Sequence, residues 1–222
     1  MMEESSQKLP LSEFTSQLTG MNRLDRLGFD RFVFFPGMLF LTFETWWGKH
    51  SVRKTAHEGL DICFFINTRQ DQYRLDETVQ IPVLFEGLIV HRMKDLLGQT
   101  LVVRHSADWV GEKTLLSFYA HIMPDHQIRI GDVIQPGQSI GSIVDPQKVN
   151  SRLLPHLHVS LAWESMLPPV SVLTWNLLNK VDRSAFLDPL EVLPGTHLMF
   201  TSAPDEHAVP NFIKCSLALK KN

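Results

Sequence analysis

Between Phe32 and about Trp163 the chain runs in short β-branched and aromatic stretches separated by turn residues. Val83-Leu84-Phe85 ahead of Glu86-Gly87, Leu88-Ile89-Val90, Thr100 to Val103 and Leu115 to Tyr119 each have the length and composition of a strand. Phe32 to Phe43, broken at Pro36-Gly37, predicts two buried strands around a turn, and it is shorter than the roughly 20 apolar residues of a membrane span. Ile128 to Gly141 alternates around Gly131 and Gly137, as a tightly folded antiparallel sheet does, while the more polar Asn67 to Thr78 reads as a surface loop. The flanks differ from this body. The first thirty residues are mixed and polar, with a short helix through Leu11 to Phe14 capped by Ser12. Beyond Pro168-Pro169, Val172 to Phe186 predicts an amphipathic helix carrying Leu173, Trp175, Leu177, Leu178 and Val181, and Asp188-Pro189 opens a second short one. The expected architecture is mainly β: an N-terminal arm at 1–31, an antiparallel β-sheet or β-roll domain at 32–166, and a helical C-terminal extension at 167–222 packed on it.

Composition removes several classes of function. With 222 residues the chain can bury a sizeable core, and 21 Lys+Arg against 24 Asp+Glu leave a net charge of −3, without the basic excess of a nucleic-acid binder. No membrane span is predicted, and the opening Met-Met-Glu-Glu-Ser-Ser-Gln-Lys lacks the basic and apolar regions of an export signal, which reads as cytoplasmic. Two cysteines, Cys63 and Cys215, make at most one bridge and read as reduced small hydrophobes. Ten histidines are the one excess.

Three histidine motifs can serve one site: His57-Glu58-Gly59-Leu60-Asp61, Tyr119-Ala120-His121, and Pro155-His156-Leu157-His158-Val159. His156 and His158 stand at i and i+2 in β-rich surroundings, so both imidazoles project from one face. A catalytic zinc takes three ligands from His and carboxylate and keeps a fourth position for water; one strand histidine with His57 and Asp61 completes that set. The remaining strand histidine and His121 then lie beside the metal, where they can accept a proton or steady a developing oxyanion. The rival helical His-Glu-x-x-His motif fails, since Asp61 replaces the second His, Gly59 weakens a helix and Ile62 to Ile66 reads as a strand; Glu58 is then a solvated or supporting acid.

The order of these motifs, with Val133-x-x-Pro136-Gly137-Gln138-x-Ile140-Gly141 between them, resembles the lysostaphin-type zinc endopeptidases, β-rich enzymes that cut peptide bonds of bacterial peptidoglycan. The match runs from about Trp46 to Trp163. The resemblance implies one zinc per chain on His57, Asp61 and His158, with His156 and His121 as the catalytic pair, and a peptidoglycan peptide as substrate in the cell envelope. It departs where the family has a Gly/Thr-rich segment before the final His-x-His, since Val144 to Leu154 is Val-Asp-Pro-Gln-Lys-Val-Asn-Ser-Arg-Leu-Leu here. The arm and the extension have no counterpart in the minimal catalytic domain, and either would make the chain latent if it covered the groove. The alternative reading is a non-catalytic relative that binds peptidoglycan or regulates another hydrolase. A lipoyl-carrier-like module rests only on Pro136-Gly137-Gln138 and lacks a lysine in the turn.

Outside the motifs, Trp46-Trp47 reads as core in preference to groove lining, and Arg53 as an exposed or structural residue in preference to one that hydrogen-bonds a substrate carbonyl or carboxylate. His105 ends a strand near the motifs and reads as an ordinary structural histidine, with a groove role as its alternative. His50, His91, His126, His197 and His207 have no convergent partners and are expected to be surface or satisfied histidines.

Overall fold

A computed structural model describes residues 8–47, 51–105, 113–201 and 211–220. His50 and His207 lie outside the described residues. The chain opens with α1 (Phe14–Met21), which begins just beyond Ser12 and runs longer than the sequence suggests. The Ser12 hydroxyl bonds Val192 O at 3.0 Å and receives the Phe14 N–H at 3.4 Å, tying the helix start to the far end of the chain.

Fourteen short strands follow among the described residues. They are β1 (Phe29–Phe34), β2 (Leu60–Ile62), β3 (Phe64–Asn67), β4 (Gln72–Arg74), β5 (Gln80–Pro82), β6 (Gly87–Lys94), β7 (Gln99–His105), β8 (Leu115–Pro124), β9 (Val133–Ile134), β10 (Ser139–Ile143), β11 (Leu157–Trp163), β12 (Phe186–Leu187), β13 (Leu198–Met199) and β14 (Ile213–Lys214). They form two sheets. The smaller has the order β13-β1-β3-β4-β14; the larger has β12-β11-β8-β7-β6-β9, with β2 added to β11 and β10 bridging β5 and β8. The large sheet is antiparallel throughout, whereas the small one takes β13 and β14 in parallel on its edges. The mainly β, antiparallel architecture expected from the sequence is therefore the one observed.

The large sheet is covered on both faces. Leu101, Val103, Tyr119 and Leu157 share one core with Phe32, Phe34, Phe64 and Phe65 of the small sheet, and Phe14, Leu18, Leu24 and Leu27 of the N-terminal segment are buried in that same core. On the other face Val102, Leu116 and Phe118 pack against Leu173, Leu178 and Phe186 of the C-terminal extension. Burying side chains of this size stabilises by about 1.5–3 kcal/mol each, so the extension is held by apolar contact over its first half.

Four local expectations are corrected. The second strand expected within Phe32 to Phe43 is absent, because that backbone is spent on the segment leading to Asp61: Leu41 N–H donates to His57 O, His57 N–H to Thr42 O, and Asp61 N–H to Met38 O. Val83 to Phe85 is not a strand, since Leu84 N–H donates to the Tyr119 hydroxyl at 2.7 Å and leaves the ladder. The loop expected over Asn67 to Thr78 holds β4, and Asn67 is buried, its amide bonded to Leu27 O and Asp71. The continuous helix over Val172 to Phe186 is a single α turn, α2 (Trp175–Leu178), between 3-10 turns; α3 (Cys215–Leu219) is the remaining helix of the extension among the described residues. Cys63 and Cys215 are both free and buried.

Candidate metal centre

Strand register brings the motifs together. On β11, His158 pairs with Asp61 of β2 on one side and with Ala120 of β8 on the other, so the first and second motifs flank the third. Gly59 is what lets the His57 to Asp61 segment lie against β11: a Cβ there would run into Val159 O and Ser160 Oγ, and would stand 2.9 Å from His158 Cε1. No helix forms over His57 to Asp61, in keeping with the rejection of the helical metalloprotease motif.

Opposite Thr100 of β7 the β8 strand carries two residues, Ala120 and His121, and His121 takes φ +62°. Such a bulge re-aims a side chain, and a left-handed non-glycine residue costs about 1–3 kcal/mol that its surroundings must offset. Asp95 supplies the grip. Its two oxygens accept the His121 N–H at 2.9 Å and face Nδ1 at 3.1 Å, while Leu97 N–H, Gly98 N–H and the Thr100 hydroxyl also donate to it. Burial would raise the Asp95 carboxyl, but the His121 bonds and charge outweigh it and hold the group well below the usual carboxylate range. The chain of bonds continues outward, since the Trp175 indole N–H donates to Thr100 Oγ1 at 2.9 Å.

The cluster itself is compact. His57 Nε2 and His158 Nδ1 are 3.1 Å apart, His158 Nδ1 and Asp61 Oδ1 2.8 Å, and His57 Nε2 and Asp61 Oδ1 3.4 Å. A tetrahedral set at ordinary Zn–N and Zn–O lengths separates its ligand atoms by about 3.3 Å, so the three atoms fit such an ion, and three protein ligands is the number a catalytic zinc uses. The His57, Asp61 and His158 group can hold a metal.

Each imidazole has one nitrogen tied to an acceptor, which fixes its tautomer and turns the other lone pair inward. His57 Nδ1 donates to Leu39 O at 3.0 Å, and His156 Nδ1 to Leu154 O at 2.8 Å. His158 Nε2 lies between Ser160 Oγ at 2.9 Å and Glu58 Oε1 at 3.2 Å, so Glu58, read from the sequence as a solvated or supporting acid, is a buried partner of His158. The second Asp61 oxygen accepts the Trp46 indole N–H at 2.7 Å. His156 completes the group. Its ring is 4.8 Å from that of His121 and edge-on to Trp46 at 5.2 Å.

Without a metal these groups compensate one another. Burial alone would push the His158 imidazole down, but hydrogen bonds and charge from Asp61 and Glu58 overcome it and raise the group to about 10. Burial would lift Glu58, yet His158 and then His57 bring it down to about 2, and Asp61 is held well below its usual value in the same way. His156 goes in the other direction: desolvation, against the pull of Asp61, lowers it to about 4 and leaves it neutral at pH 7.

The cluster forms the floor of a groove of about 410 Å³. Trp47, Arg53, Lys54 and Thr55 line one side, Asp95, Leu96 and Leu153 another, and Trp175 and Asn179 of the extension a third. Trp46 and Trp47 divide the two roles considered for them, the first buried against Asp61 and the second lining the groove. Arg53, expected to be exposed or structural, is a groove residue whose guanidinium lies 4.9 Å over the Trp47 ring. Described residues of the extension form a wall of the groove. Arg183 of the extension donates to Ala56 O at 2.8 Å, next to His57, and the Trp175 ring stands 5.5 Å from the His158 ring. Asp95, Thr100 and Trp175 were not singled out as site residues from the sequence; Asp95 there has only the signature of a turn, with Gly98 three positions on.

His105 is elsewhere. Its Nδ1 donates to Glu86 O at 2.8 Å and its Nε2 lies 2.7 Å from Ser117 Oγ, which is 3.1 Å from the Tyr119 hydroxyl. This chain is buried and does not line the groove. His91 bonds Leu173 O, exposed His126 lies beside Asp125, and His197 packs edge-on to Phe34, none of them in the groove.

No protein-family model and no curated protein matches the sequence. Among solved structures the chain is similar to lysostaphin in solution, at 17% identity over 69% of this chain and 54% of that one, TM-score 0.39. It is also similar to a mutant catalytic domain of the prophage-encoded M23 protein EnpA from Enterococcus faecalis, at 19% identity over 53% and 77%, TM-score 0.33. A zinc containing peptidase from Vibrio cholerae aligns at 16% identity over 76% and 41%, TM-score 0.36. The chain spans about half the length of the lysostaphin structure.

Proposed function

We propose that the protein is a zinc-dependent endopeptidase acting on peptide bonds of bacterial peptidoglycan. The observation that carries this reading is the convergence of His57 Nε2, Asp61 Oδ1 and His158 Nδ1 within 3.4 Å of one another, on the floor of a groove that also presents His121 and His156. Zinc held there supplies a Lewis acid and acidifies a water at neutral pH. His57, Asp61 and His158 hold one ion per chain, with Leu39 O, Trp46 and Glu58 orienting them. His121, its Nδ1 tied to Asp95, turns Nε2 toward the groove and takes or returns a proton; His156, neutral at pH 7, steadies the oxygen of the attacked carbonyl. Peptidoglycan as the source of the peptide rests on the order of the four sequence motifs.

Metal analysis of the purified chain should give close to one zinc, and incubation with purified peptidoglycan should release peptide fragments that mass spectrometry can assign to a bond. A folded wild type that binds no zinc, or a zinc-loaded chain that releases nothing, overturns the reading. The second result leaves a protein that binds peptidoglycan or regulates another hydrolase.

A further inference from the structure

We propose that Arg53 anchors a carboxylate of the substrate, so that the groove selects peptides bearing a free carboxylate close to the bond presented to the His57, Asp61 and His158 cluster. The proposal deepens the endopeptidase reading and rests on it for the location of the reacting bond.

Arg53 is held rigidly. Its side chain is 15% exposed, its guanidinium lies 4.9 Å over the Trp47 ring, its backbone N–H donates to Phe43 O at 2.7 Å, and one Nη1 N–H is tied to Glu44 O. The other donors of the fork have no hydrogen-bond acceptor among the described residues. Asp61 Oδ2 comes nearest, but at 3.6 Å it lies beyond hydrogen-bond range and already accepts the Trp46 N–H. A partly buried arginine whose donors face a cavity is poised for a planar, bidentate acceptor, and a carboxylate is the common one.

Charge points the same way. With a divalent ion in place, that ion, Arg53 and Lys54 outweigh the carboxylates of Glu58, Asp61 and Asp95 lining the groove by one positive charge. Asp61 then spends its charge on the ion, leaving Glu58 and Glu44 as the carboxylates whose charge still reaches Arg53. Proximity sets the reach. A fork 3.6 Å from a cluster carboxylate places the bound anion within about one or two residues of the reacting carbonyl, at about 3.5 Å of extended chain per residue.

The test compares peptides released from purified peptidoglycan with the same peptides after their carboxylates are converted to carboxamides. Binding is measured by calorimetry to the zinc-loaded His121→Ala chain, so that turnover does not confound affinity, and hydrolysis is measured with the wild type. The carboxylate form should bind about tenfold or more tightly, as a charge-assisted bidentate pair does, and be cut with a correspondingly higher kcat/KM. Arg53→Gln should bring the two forms to within about twofold. Arg53→Lys, which keeps a cation beside Asp61 without the planar fork, should retain zinc and part of the preference, and it keeps the test valid if Arg53→Gln misfolds. Equal affinity for the two forms in the unsubstituted Arg53 background, or a preference that survives Arg53→Gln, overturns the anchor. A carboxylate preference in binding without any hydrolysis by the wild type supports the anchor and overturns the endopeptidase reading instead.

Discussion

Strands β7 and β8 carry two histidine-centred hydrogen-bond networks, a few residues apart, that behave in opposite ways. At one end His105, Ser117 and Tyr119 form a chain with no carboxylate in contact, sealed beneath the Glu86 carbonyl. At the other, four imidazoles share three carboxylates, from Glu58, Asp61 and Asp95, and open on a groove. Burial is nearly complete in both. It lowers His105 to about 4, with only a carbonyl to oppose it, whereas His158, equally buried between Asp61 and Glu58, is raised to about 10. A buried histidine among neutral partners is driven toward its neutral form, whereas one held between carboxylates is kept charged in the metal-free protein.

Substitution to alanine at the two ends should separate them most sharply. His158→Ala should lose the zinc and at least about 10³-fold in activity, because it removes a ligand from the metal and leaves Glu58 and Asp61 without their histidine partner. His105→Ala should keep near-stoichiometric zinc and most of the activity but lose about 2–4 kcal/mol of stability, because it leaves Ser117 and Glu86 O unpaired in the core. Metal analysis beside denaturant unfolding of both variants decides it; zinc loss in His105→Ala would erase the distinction.

Acid should act next most strongly. A histidine lowered to about 4 in the fold but titrating near 6.5 when unfolded contributes stability that is present above pH 6.5 and is lost as pH falls toward 4. For His105 the full loss is about 3 kcal/mol, and His156, lowered to about 4 by the same burial, adds in the same direction in the metal-free protein. Unfolding midpoints of metal-free protein at pH 7 and pH 4.5 should fall further for the wild type than for His105→Gln. Identical slopes would remove His105 as a source of acid lability.

Asp95→Asn is a smaller change at the open end. The amide keeps its place in the turn but offers only one oxygen to a group that uses two, so the left-handed His121 loses part of its support. A fall of about 10–100-fold in kcat is expected, with zinc content unchanged, because Asp95 touches no metal ligand atom. Unchanged kcat would make the Asp95 bond to His121 a matter of turn geometry alone.

The metal cluster was legible because spacing and motif order are local properties: His57 with Asp61, and His156 with His158, occupy single short segments. The groups that support it were hidden because they converge from distant segments. Asp95 carries only a turn signature, and Trp175 reads as one apolar position of a helix. The fold was misread where backbone hydrogen bonds leave their expected ladders. Leu84 bonds a tyrosine hydroxyl, and the stretch after Pro36 bonds the His57 segment. The helix expected over Val172 to Phe186 is interrupted because Thr174 and Asp182 accept N–H groups two or three residues ahead, as caps do, and each restarts the chain in a new direction around the outer face of the sheet.

That outer wrapping leads to the smallest and most discriminating effect. Trp175 touches the site twice, with its ring against His158 and its N–H on Thr100, which in turn donates to Asp95 and so to His121. Trp175→Phe keeps the ring and removes the N–H, a hydrogen bond worth about 1 kcal/mol, so kcat should fall about fivefold while KM and zinc content stay unchanged. Trp175→Ala should cost more, since the groove wall goes with it. Because Trp175 acts through Asp95, the double variant Trp175→Phe with Asp95→Asn should be no slower than Asp95→Asn alone, a non-additivity expected only if the two lie on one chain of bonds. If the two losses multiply instead, the indole N–H acts on the site by a route that does not pass through Asp95.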